Sequence, residues 1–218
     1  MTVTPRDAER LEECLMTGGV AVIPTDTVYG LVCDPDSAAA MQKIYELKRR
    51  PPRKPSAVMF FALDAALDLL TEFGPRTYAA LTALLPGPVT LLLSNSRRRF
   101  PLACDPEGLN AEREKTAPLG LRVPKLEGPL SWLTSVGVPV LQSSANLSGQ
   151  APPRCLADVP IELCEGADLV LDGGELPGLA STVIDLSEYE RSGDWRIVRE
   201  GPLAHHELEW LFDDSGGD

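Results

Sequence analysis

A short basic run concentrates positive charge in a chain whose net charge is −12. Residues 48–54 read K-R-R-P-P-R-K, which places five cations within seven residues. Arginine offers a planar fork and lysine a point charge to phosphate oxygens, so the run suits a compact polyanion. Cations are also favoured at the C-terminus of a helix by its macrodipole, and the run alone leaves both interpretations open.

Hydroxyl, amide and guanidinium side chains also recur at the ends of predicted strands. Each is a weak signal alone, because such groups usually bond to turn backbones. Arg122 is the sharpest single residue, since it lies in the apolar stretch L-G-L-R-V-P. A guanidinium there needs a partner or a cleft, because its desolvation is costly, and structural and functional roles both remain open. The residues in question are Thr25, Thr90, Arg122, Ser144, Asn146, Ser181 and Arg199.

Several common catalytic sites are absent from the sequence. It contains no G-x-x-x-x-G-K-[ST] loop, no G-x-G-x-x-G turn and no G-x-S-x-G elbow. Histidines, cysteines and carboxylates do not occur at metal-ligand spacing, so we expect no metal held by the protein. The five cysteines are scattered without a C-x-x-C pair, and we expect reduced thiols.

The composition indicates a globular chain with one core. With 218 residues, of which 44% are hydrophobic, we expect a single domain over residues 1–212 and a disordered tail over residues 213–218. There is no run of 18 apolar residues and no apolar signal core near the start, so we expect a cytoplasmic protein without a membrane span. The negative net charge disfavours non-specific nucleic-acid binding, although a local basic groove remains open.

Short strands alternate with helices in the predicted pattern, which indicates an α/β fold (α+β in some schemes) without specifying the strand order. Residues 4–7, T-P-R-D, start a first helix that Gly18-Gly19 ends. A second helix over residues 37–47 delivers the basic run at its end, where Pro51-Pro52 break it.

The remaining elements are shorter, and we expect a loop over residues 94–118 with mobile parts at 97–99 and 112–115. The predicted strands are residues 20–23, 57–61, 89–93, 120–123, 138–141, 169–171, 182–186 and 195–198. The further predicted helices are residues 64–72, 76–85, 129–136, 156–165 and 204–212.

Seven short motifs occur in order along the chain and together match a known pattern. They are P-T-D-T-V-Y-G-L at 24–31, K-x-R-P at 48–51 followed by Lys54-Pro55, P-G-P-x-T at 86–90, L-R-V-P at 121–124, S-A-N-x-S-G at 144–149, S-T-V-I-D-L at 181–186 and R-E-G at 199–201. The chain resembles the YrdC-like family over roughly residues 5–205. The resemblance implies a single YrdC-like domain, a twisted mixed sheet with flanking helices and a deep basic groove. Because the chain ends soon after R-E-G, we expect the short, single-domain form.

The resemblance also implies a reaction. ATP, L-threonine and bicarbonate would give threonylcarbamoyl-AMP and pyrophosphate, with Mg²⁺ accompanying ATP and held mainly by phosphate oxygens and water. Downstream proteins would transfer the threonylcarbamoyl group to adenosine 37 of tRNAs that read ANN codons. The resemblance extends to double-stranded RNA binding, and direct contact with tRNA stays open.

The family resemblance assigns roles to individual residues. Positioning and charge neutralisation would come from three implied catalytic residues, Lys48, Arg50 and Arg122. The residues implied in ATP binding are Lys48, Arg50, Thr90, Ser144, Asn146 and Arg199. The residues implied in threonine binding are Thr25, Arg122 and Ser181.

One segment departs from the family pattern. Where the family usually reads K-P-L-x-V-H, residues 54–59 read K-P-S-A-V-M. Ser56 replaces Leu, and Met59 replaces a His that helps to form the threonine pocket, a hydrogen bond that a thioether cannot reproduce. One alternative is therefore a YrdC-like paralogue acting on another carbamoyl compound, such as carbamoyl phosphate or a different amino-acid carbamate. A non-enzymatic RNA-binding module is the other, which the negative charge and the lack of a basic–aromatic pattern disfavour.

Overall fold

The computed structural model describes residues 2–49, 56–105 and 117–213. Within them, helices flank one large mixed sheet, which confirms the predicted fold class. Arg50, most of the basic run, the predicted mobile segment at 112–115 and nearly all of the predicted tail lie outside the described residues. No helix in the described part of the chain has the length and apolar character needed to cross a bilayer.

The elements are mostly short. The strands are β1 Ala21–Ile23, β2 Gly30–Cys33, β3 Ala57–Met59, β4 Val89–Leu93, β5 Leu119–Arg122, β6 Val140–Ser144, β7 Leu169–Val170, β8 Thr182–Asp185 and β9 Arg196–Arg199. The α-helices are α1 Pro5–Met16, α2 Ala38–Leu47, α3 Leu63–Leu69, α4 Pro75–Leu84, α5 Pro101–Cys104, α6 Ile161–Gly166, α7 Tyr189–Ser192 and α8 His205–Asp213. Two 3₁₀ segments span Gly128–Ser135 and Leu156–Asp158.

The strand order of the sheet differs greatly from the chain order. In the described residues, the sheet runs β7-β1-β2-β6-β3-β5-β4-β8-β9. The pairs β1–β7, β3–β5 and β4–β8 are parallel, and the other neighbours are antiparallel. Crossovers therefore place β5 near the centre of the sheet, and they bring segments far apart in sequence to its two sides.

Helix α1 illustrates how the local sequence builds an element. The Thr4 hydroxyl accepts a hydrogen bond from the Asp7 amide, and the Asp7 carboxylate accepts one from the Thr4 amide, which completes a capping box. Leu11 and Leu15 are buried on one face, and each such side chain contributes about 1.5–3 kcal/mol relative to exposure. Gly18 adopts a φ of +80° just after the helix, which confirms the predicted end.

Several local predictions fail, among them the loop expected over residues 94–118, which contains the short helix α5 Pro101–Cys104. Strand β2 is absent from the predicted strands, because G-L-V-C is short and buried throughout, so it shows no alternation. The helix predicted over residues 156–165 is divided, since Pro160 separates a 3₁₀ turn from α6. The segment predicted as a helix over residues 129–136 is a 3₁₀ helix, Gly128–Ser135.

Candidate active site

A cavity of about 620 Å³ lies on one face of the sheet, over β5 and its neighbours. The strand register places its floor residues side by side, because Ala57 pairs with Gln142 and Gly120 pairs with Leu92. Gly120 has no side chain, and a Cβ atom there would lie 3.3 Å from the Ala57 Cα. Because Gly120 and Ala57 have small side chains or none, the sheet surface beneath the cavity leaves space for a ligand.

Seven of the nine predicted site residues line this cavity: Lys48, Thr90, Arg122, Ser144, Asn146, Ser181 and Arg199. Arg50 lies outside the described residues. Thr25 does not line the cavity; it is buried and contacts Arg122. The structure thus brings together residues that are up to about 150 positions apart in the sequence. The role of each residue in binding or catalysis stays a prediction.

Lys48 is held by backbone carbonyl groups. Its ammonium group, just after α2, donates to the carbonyl oxygens of Ser144 and of Asn146, the second at 2.9 Å. The Lys48 carbonyl in turn accepts from the Ser148 amide at 3.1 Å. The Asn146 amide group stabilises this loop by donating to the Gln150 carbonyl at 2.6 Å. The loop after β6 therefore places a buried cation at the cavity wall.

Arg122 is held by side chains. Only 3% of it is exposed, and its Nη2 donates to Asp26 Oδ1 at 2.6 Å, to Thr25 Oγ1 at 3.2 Å and to Thr27 Oγ1. Its Nη1 approaches Gln142 Oε1 at 3.5 Å, and its Nε has no hydrogen-bond partner within the described residues. Burial lowers the pKa of Arg122, while the charge and hydrogen bond of Asp26 oppose that shift.

Arg199 lies at the exposed edge of the same cavity. Its Nε and Nη2 donate to the Ser181 carbonyl at 3.1 and 2.8 Å, and Nη2 also reaches the Ser181 hydroxyl at 3.1 Å. That hydroxyl lies 2.8 Å from the Thr90 hydroxyl. Partial burial and the nearby charge of Arg122 lower the pKa of Arg199, so two guanidinium groups lie within electrostatic range of each other.

The charge balance of the cavity favours an anion. Three cations and no carboxylate line it, as far as the chain is described. Arg122 is paired with Asp26, which lies outside the lining, and the lining itself supplies two guanidinium groups and an ammonium group that attract phosphate or carboxylate oxygens. Over residues 2–49, 56–105 and 117–213, no three His, Cys, Asp or Glu side chains cluster in a way that could hold a metal ion. The donors therefore fit an anionic ligand better than a Mg²⁺ ion held by protein carboxylates.

The family relationship is decided by sequence comparison. A family model named Sua5_yciO_yrdC, with the description telomere recombination, matches residues 13–201. The chain belongs to the Sua5/YciO/YrdC family.

Relatives in this family include proteins named threonylcarbamoyl-AMP synthase. The protein from Rattus norvegicus is 34% identical over 195 residues, which are 86% of this chain and 64% of the relative. The protein from Xanthomonas campestris pv. campestris (strain B100) is 35% identical over 184 residues, which are 83% of this chain and 91% of the relative. The chain thus spans 64% of the length of the rat relative and almost all of the bacterial one.

Solved structures of the Sua5/YciO/YrdC family have the same fold. P. abyssi Sua5 complexed with L-threonine superposes with a TM-score of 0.80 at 25% identity, covering 97% of this chain and 58% of that chain. E. coli YciO superposes with a TM-score of 0.75 at 25% identity and covers 92% of both chains. These matches confirm the predicted YrdC-like architecture over nearly the whole chain.

The two departures from the family pattern lie in different surroundings. Ser56 lines the cavity, and its hydroxyl lies 3.5 Å from the Tyr45 hydroxyl. Met59 is fully buried in the hydrophobic core and is the direct partner of Arg122 in the pairing of β3 with β5. A thioether therefore lies beside the buried arginine, where the family usually has an imidazole.

Several further residues of this cavity received no role from the sequence pattern. Gln142 and Ser143 line the cavity from β6, and Gln150 lines it from the following loop. Three polar residues in the largely buried strand V-L-Q-S-S were the available signal, because buried polar groups need a partner or a ligand. Asp26 was quoted within its motif but was given no role, although it contacts Arg122 directly.

Proposed function

We propose that this chain is a threonylcarbamoyl-AMP synthase, which forms threonylcarbamoyl-AMP and pyrophosphate from ATP, L-threonine and bicarbonate. The observation that carries the proposal is one cavity lined by Lys48, Arg122 and Arg199 and, among the described residues, by no carboxylate. Both the nucleotide and the amino-acid carbamate are anions, so this lining suits the pair of reactants. The names of the rat and Xanthomonas relatives and the threonine complex of P. abyssi Sua5 support the same conclusion.

The proposed chemistry requires neither a nucleophilic side chain nor an acid–base pair of unusual pKa. Bicarbonate takes up a proton and loses water to give CO₂, and the threonine amine adds to CO₂ and loses a proton, which gives a carbamate. A carbamate oxygen attacks the α-phosphorus of ATP, and the bond to the bridging oxygen breaks, so that pyrophosphate leaves with the electron pair. Positioning and charge neutralisation drive such an in-line displacement.

We assign the phosphates to the Lys48 side of the cavity. Two carbonyl groups already orient the Lys48 ammonium group, so little reorganisation is needed as charge develops on the leaving pyrophosphate. The hydroxyl of Ser144 and the amide of Asn146 lie beside it and are assigned to the nucleotide. Arg50 joins this group on the family resemblance alone.

We assign the amino-acid carboxylate or its carbamate to the Arg122 side. Arg122 and Ser181 supply N–H and O–H donors, and Arg199 adds a second guanidinium group, which we assign to the nucleotide phosphates or ribose. Thr90, hydrogen-bonded to Ser181, would contact the nucleotide. A direct contact between Thr25 and threonine stays a prediction, since the Thr25 hydroxyl donates to the Val28 carbonyl at 2.7 Å and accepts from Arg122.

Mg²⁺ enters this proposal as part of the substrate MgATP. No carboxylate lines the described cavity, so phosphate oxygens and water would supply the ligands of the ion. Threonylcarbamoyl-AMP is a mixed anhydride, so we further propose that separate transfer proteins carry its acyl group to tRNA. Direct tRNA contact by this chain is a weaker proposal, because the net charge of −12 opposes RNA binding outside a local groove.

A second candidate function is a paralogue that acts on another carbamoyl compound. Met59 beside Arg122 and Ser56 in the cavity lining favour it, because both replace residues that the family usually keeps. In such a paralogue, the Lys48 side of the cavity would still bind the phosphates. The protein would differ only in the amino acid or the carbamoyl compound that it uses.

Omission of each substrate in turn tests the proposal. We expect purified protein to release pyrophosphate from MgATP only when threonine and bicarbonate are both present, measured with a coupled pyrophosphatase assay. Equal release without threonine, or with any amino acid, would exclude the synthase and favour the paralogue. Tight, salt-sensitive RNA retention without ATP consumption would instead identify an RNA-binding module.

A further inference from the structure

We propose that Asp26 is a positioning residue, whose carboxylate orients the Arg122 guanidinium group for binding the carboxylate or carbamate of the substrate. This inference rests on the proposed function, because it concerns the same cavity. It adds a residue that does not itself line the cavity and that acts through Arg122.

The Asp26 carboxylate uses both of its oxygens in fixed contacts. Oδ1 accepts from Arg122 Nη2 at 2.6 Å, and Oδ2 accepts from the backbone amide of Lys125 at 3.0 Å. Its side chain is 7% exposed, so water competes little with either bond. Asp26 therefore joins the turn after β1 to the end of β5 and to the segment that follows it.

Two hydroxyl groups complete the arrangement around the same nitrogen. Thr25 Oγ1 and Thr27 Oγ1 also accept from Arg122 Nη2, and both threonines are fully buried. The Thr25 hydroxyl donates its own proton to the Val28 carbonyl, which leaves its lone pairs for accepting. Three oxygen acceptors on one nitrogen restrict the rotation of the planar guanidinium group.

The other two nitrogens of Arg122, Nη1 and Nε, make far fewer hydrogen bonds within the described residues. Nη1 has one contact to Gln142 at 3.5 Å, the outer limit of a hydrogen bond, and Nε has no partner within the described residues. A buried donor without an acceptor is costly, so an acceptor from a ligand in the cavity would gain from this arrangement. The contacts on Nη2 therefore leave the other N–H groups for the substrate.

A neutral amide cannot replace the carboxylate at this position. In Asp26→Asn, one of the two bonds would face an NH₂ group instead of an acceptor, and the buried guanidinium would lose its counter-charge. The chain offers a matched control in Asp185→Asn. Asp185 is 12% exposed and binds Arg196 Nη2 at 2.7 Å, but neither residue lines the cavity.

Steady-state kinetics give the first test. We expect Asp26→Asn to lower kcat/KM for threonine at least about tenfold while the KM for ATP changes less than about threefold, with Asp185→Asn close to wild type in both. In an Arg122→Ala background, Asp26→Asn should change kcat/KM by less than about twofold, because a residue that acts through Arg122 has nothing left to position. Additive losses, or wild-type kinetics of folded Asp26→Asn, would overturn the proposal.

If Asp26→Asn does not fold, a second variant, Asp26→Glu, distinguishes the effect of the negative charge at residue 26 from the effect of the position of its carboxylate. It keeps the carboxylate but moves it by one methylene group, so we expect a wild-type unfolding midpoint together with a loss of at least about fivefold in kcat/KM for threonine. If Asp26→Glu has the wild-type unfolding midpoint and also the wild-type kcat/KM for threonine, the negative charge alone is sufficient, which contradicts a positioning role.

A measurement without turnover separates this inference from the proposed function. The Arg122 Nε–H signal in an NMR spectrum, assigned by its loss in Arg122→Lys, should shift and exchange with water at least about fivefold faster in Asp26→Glu than in wild type. An unchanged signal overturns the role of Asp26 even if the enzyme is active. If wild type releases no pyrophosphate, the proposed function fails while this signal still decides whether Asp26 orients Arg122.

Discussion

Arg122 and Lys48 are equally buried cations of one cavity, yet different kinds of group hold them. Each is 3% exposed. Arg122 is bound by the side chains of residues 25–27, including a full negative charge, whereas Lys48 is bound by the backbone carbonyls of Ser144 and Asn146. Carbonyl groups carry only partial charges. The bond between Arg122 and Asp26 therefore joins two full charges, whereas the two bonds from Lys48 join a full charge to neutral carbonyl groups.

The contacts of both cations form only in the folded chain, because they join residues that are far apart in the sequence. The bonds of Arg122 to residues 25–27 and those of Lys48 to the loop after β6 each join positions nearly a hundred residues apart. Neither cation has these partners until the sheet is assembled. Stability should respond strongly at Arg122, because its removal leaves the buried Asp26 carboxylate without that guanidinium group.

The largest effect is expected for Arg122→Ala. It removes the donor to the substrate and leaves the Asp26 carboxylate buried without a cation, so the free energy of unfolding should fall by about 3–5 kcal/mol. Pyrophosphate formation should fall by about a thousandfold or more in kcat/KM. Urea unfolding and the coupled assay measure the two quantities. Arg196→Ala is the control, since the Arg196 side chain is 77% exposed and a solvent-screened pair of this kind contributes about 1 kcal/mol or less. A folded, fully active Arg122→Ala would show that Arg122 is not at the reacting centre.

Lys48→Ala should separate catalysis from stability. We expect kcat to fall about a hundredfold, because the leaving pyrophosphate loses its ammonium group. The free energy of unfolding should fall by about 1 kcal/mol for the loss of the hydrogen bonds to the two neutral carbonyl groups. Lys43→Ala, on the same helix α2 but outside the cavity, should leave kcat unchanged. A stability loss as large as that of Arg122→Ala would contradict the distinction between the two cations.

Gly120→Ala tests the floor between the two cations. The added Cβ atom would lie 3.3 Å from the Ala57 Cα and 3.4 Å from its Cβ, so the methyl group raises the floor or displaces β3. We expect the KM for ATP to rise about tenfold with a smaller change in kcat. Gly137→Ala serves as a control, because among the described residues its added Cβ would come within 4 Å of nothing but the end of the flexible Glu12 side chain. An unaltered KM would place the nucleotide away from this part of the cavity.

The smallest effect concerns Lys43 and Asp168, an exposed pair. Hydrogen bonds from Lys43 and from the Val20 amide lower the pKa of Asp168 from its ordinary value of 3.8. A carboxyl group with a lowered pKa stabilises the fold above that ordinary value, and the contribution is lost as the pH falls through the folded-state pKa. Lys43→Ala should therefore cost about 0.5 kcal/mol at neutral pH and progressively less as the pH falls below the ordinary pKa of 3.8 and Asp168 becomes protonated, measured by urea unfolding. An effect that persists in acid would indicate packing rather than charge.

The sequence pointed to seven residues that line one cavity, but it revealed much less of the strand order that brings them together. Arg122 stood out because a guanidinium group in an apolar strand requires a partner, and seven predicted residues meet in one cavity. Strand β2 was missed because a short, fully buried strand has no periodic signal, and the helix across Pro160 was wrong because proline interrupts it. The expected contacts of Arg50 remain predictions.

The sequence by itself determined the family, through seven ordered motifs, and the elements whose signals are local, such as the capping box that starts α1. Only the tertiary structure decided that the partner of Arg122 is Asp26, that Thr25 bonds to Arg122 and that Lys48 rests on two carbonyl groups. The physical reason is that local signals act over a few residues, whereas these contacts join strands whose order in the sheet is set by the packing of the whole chain.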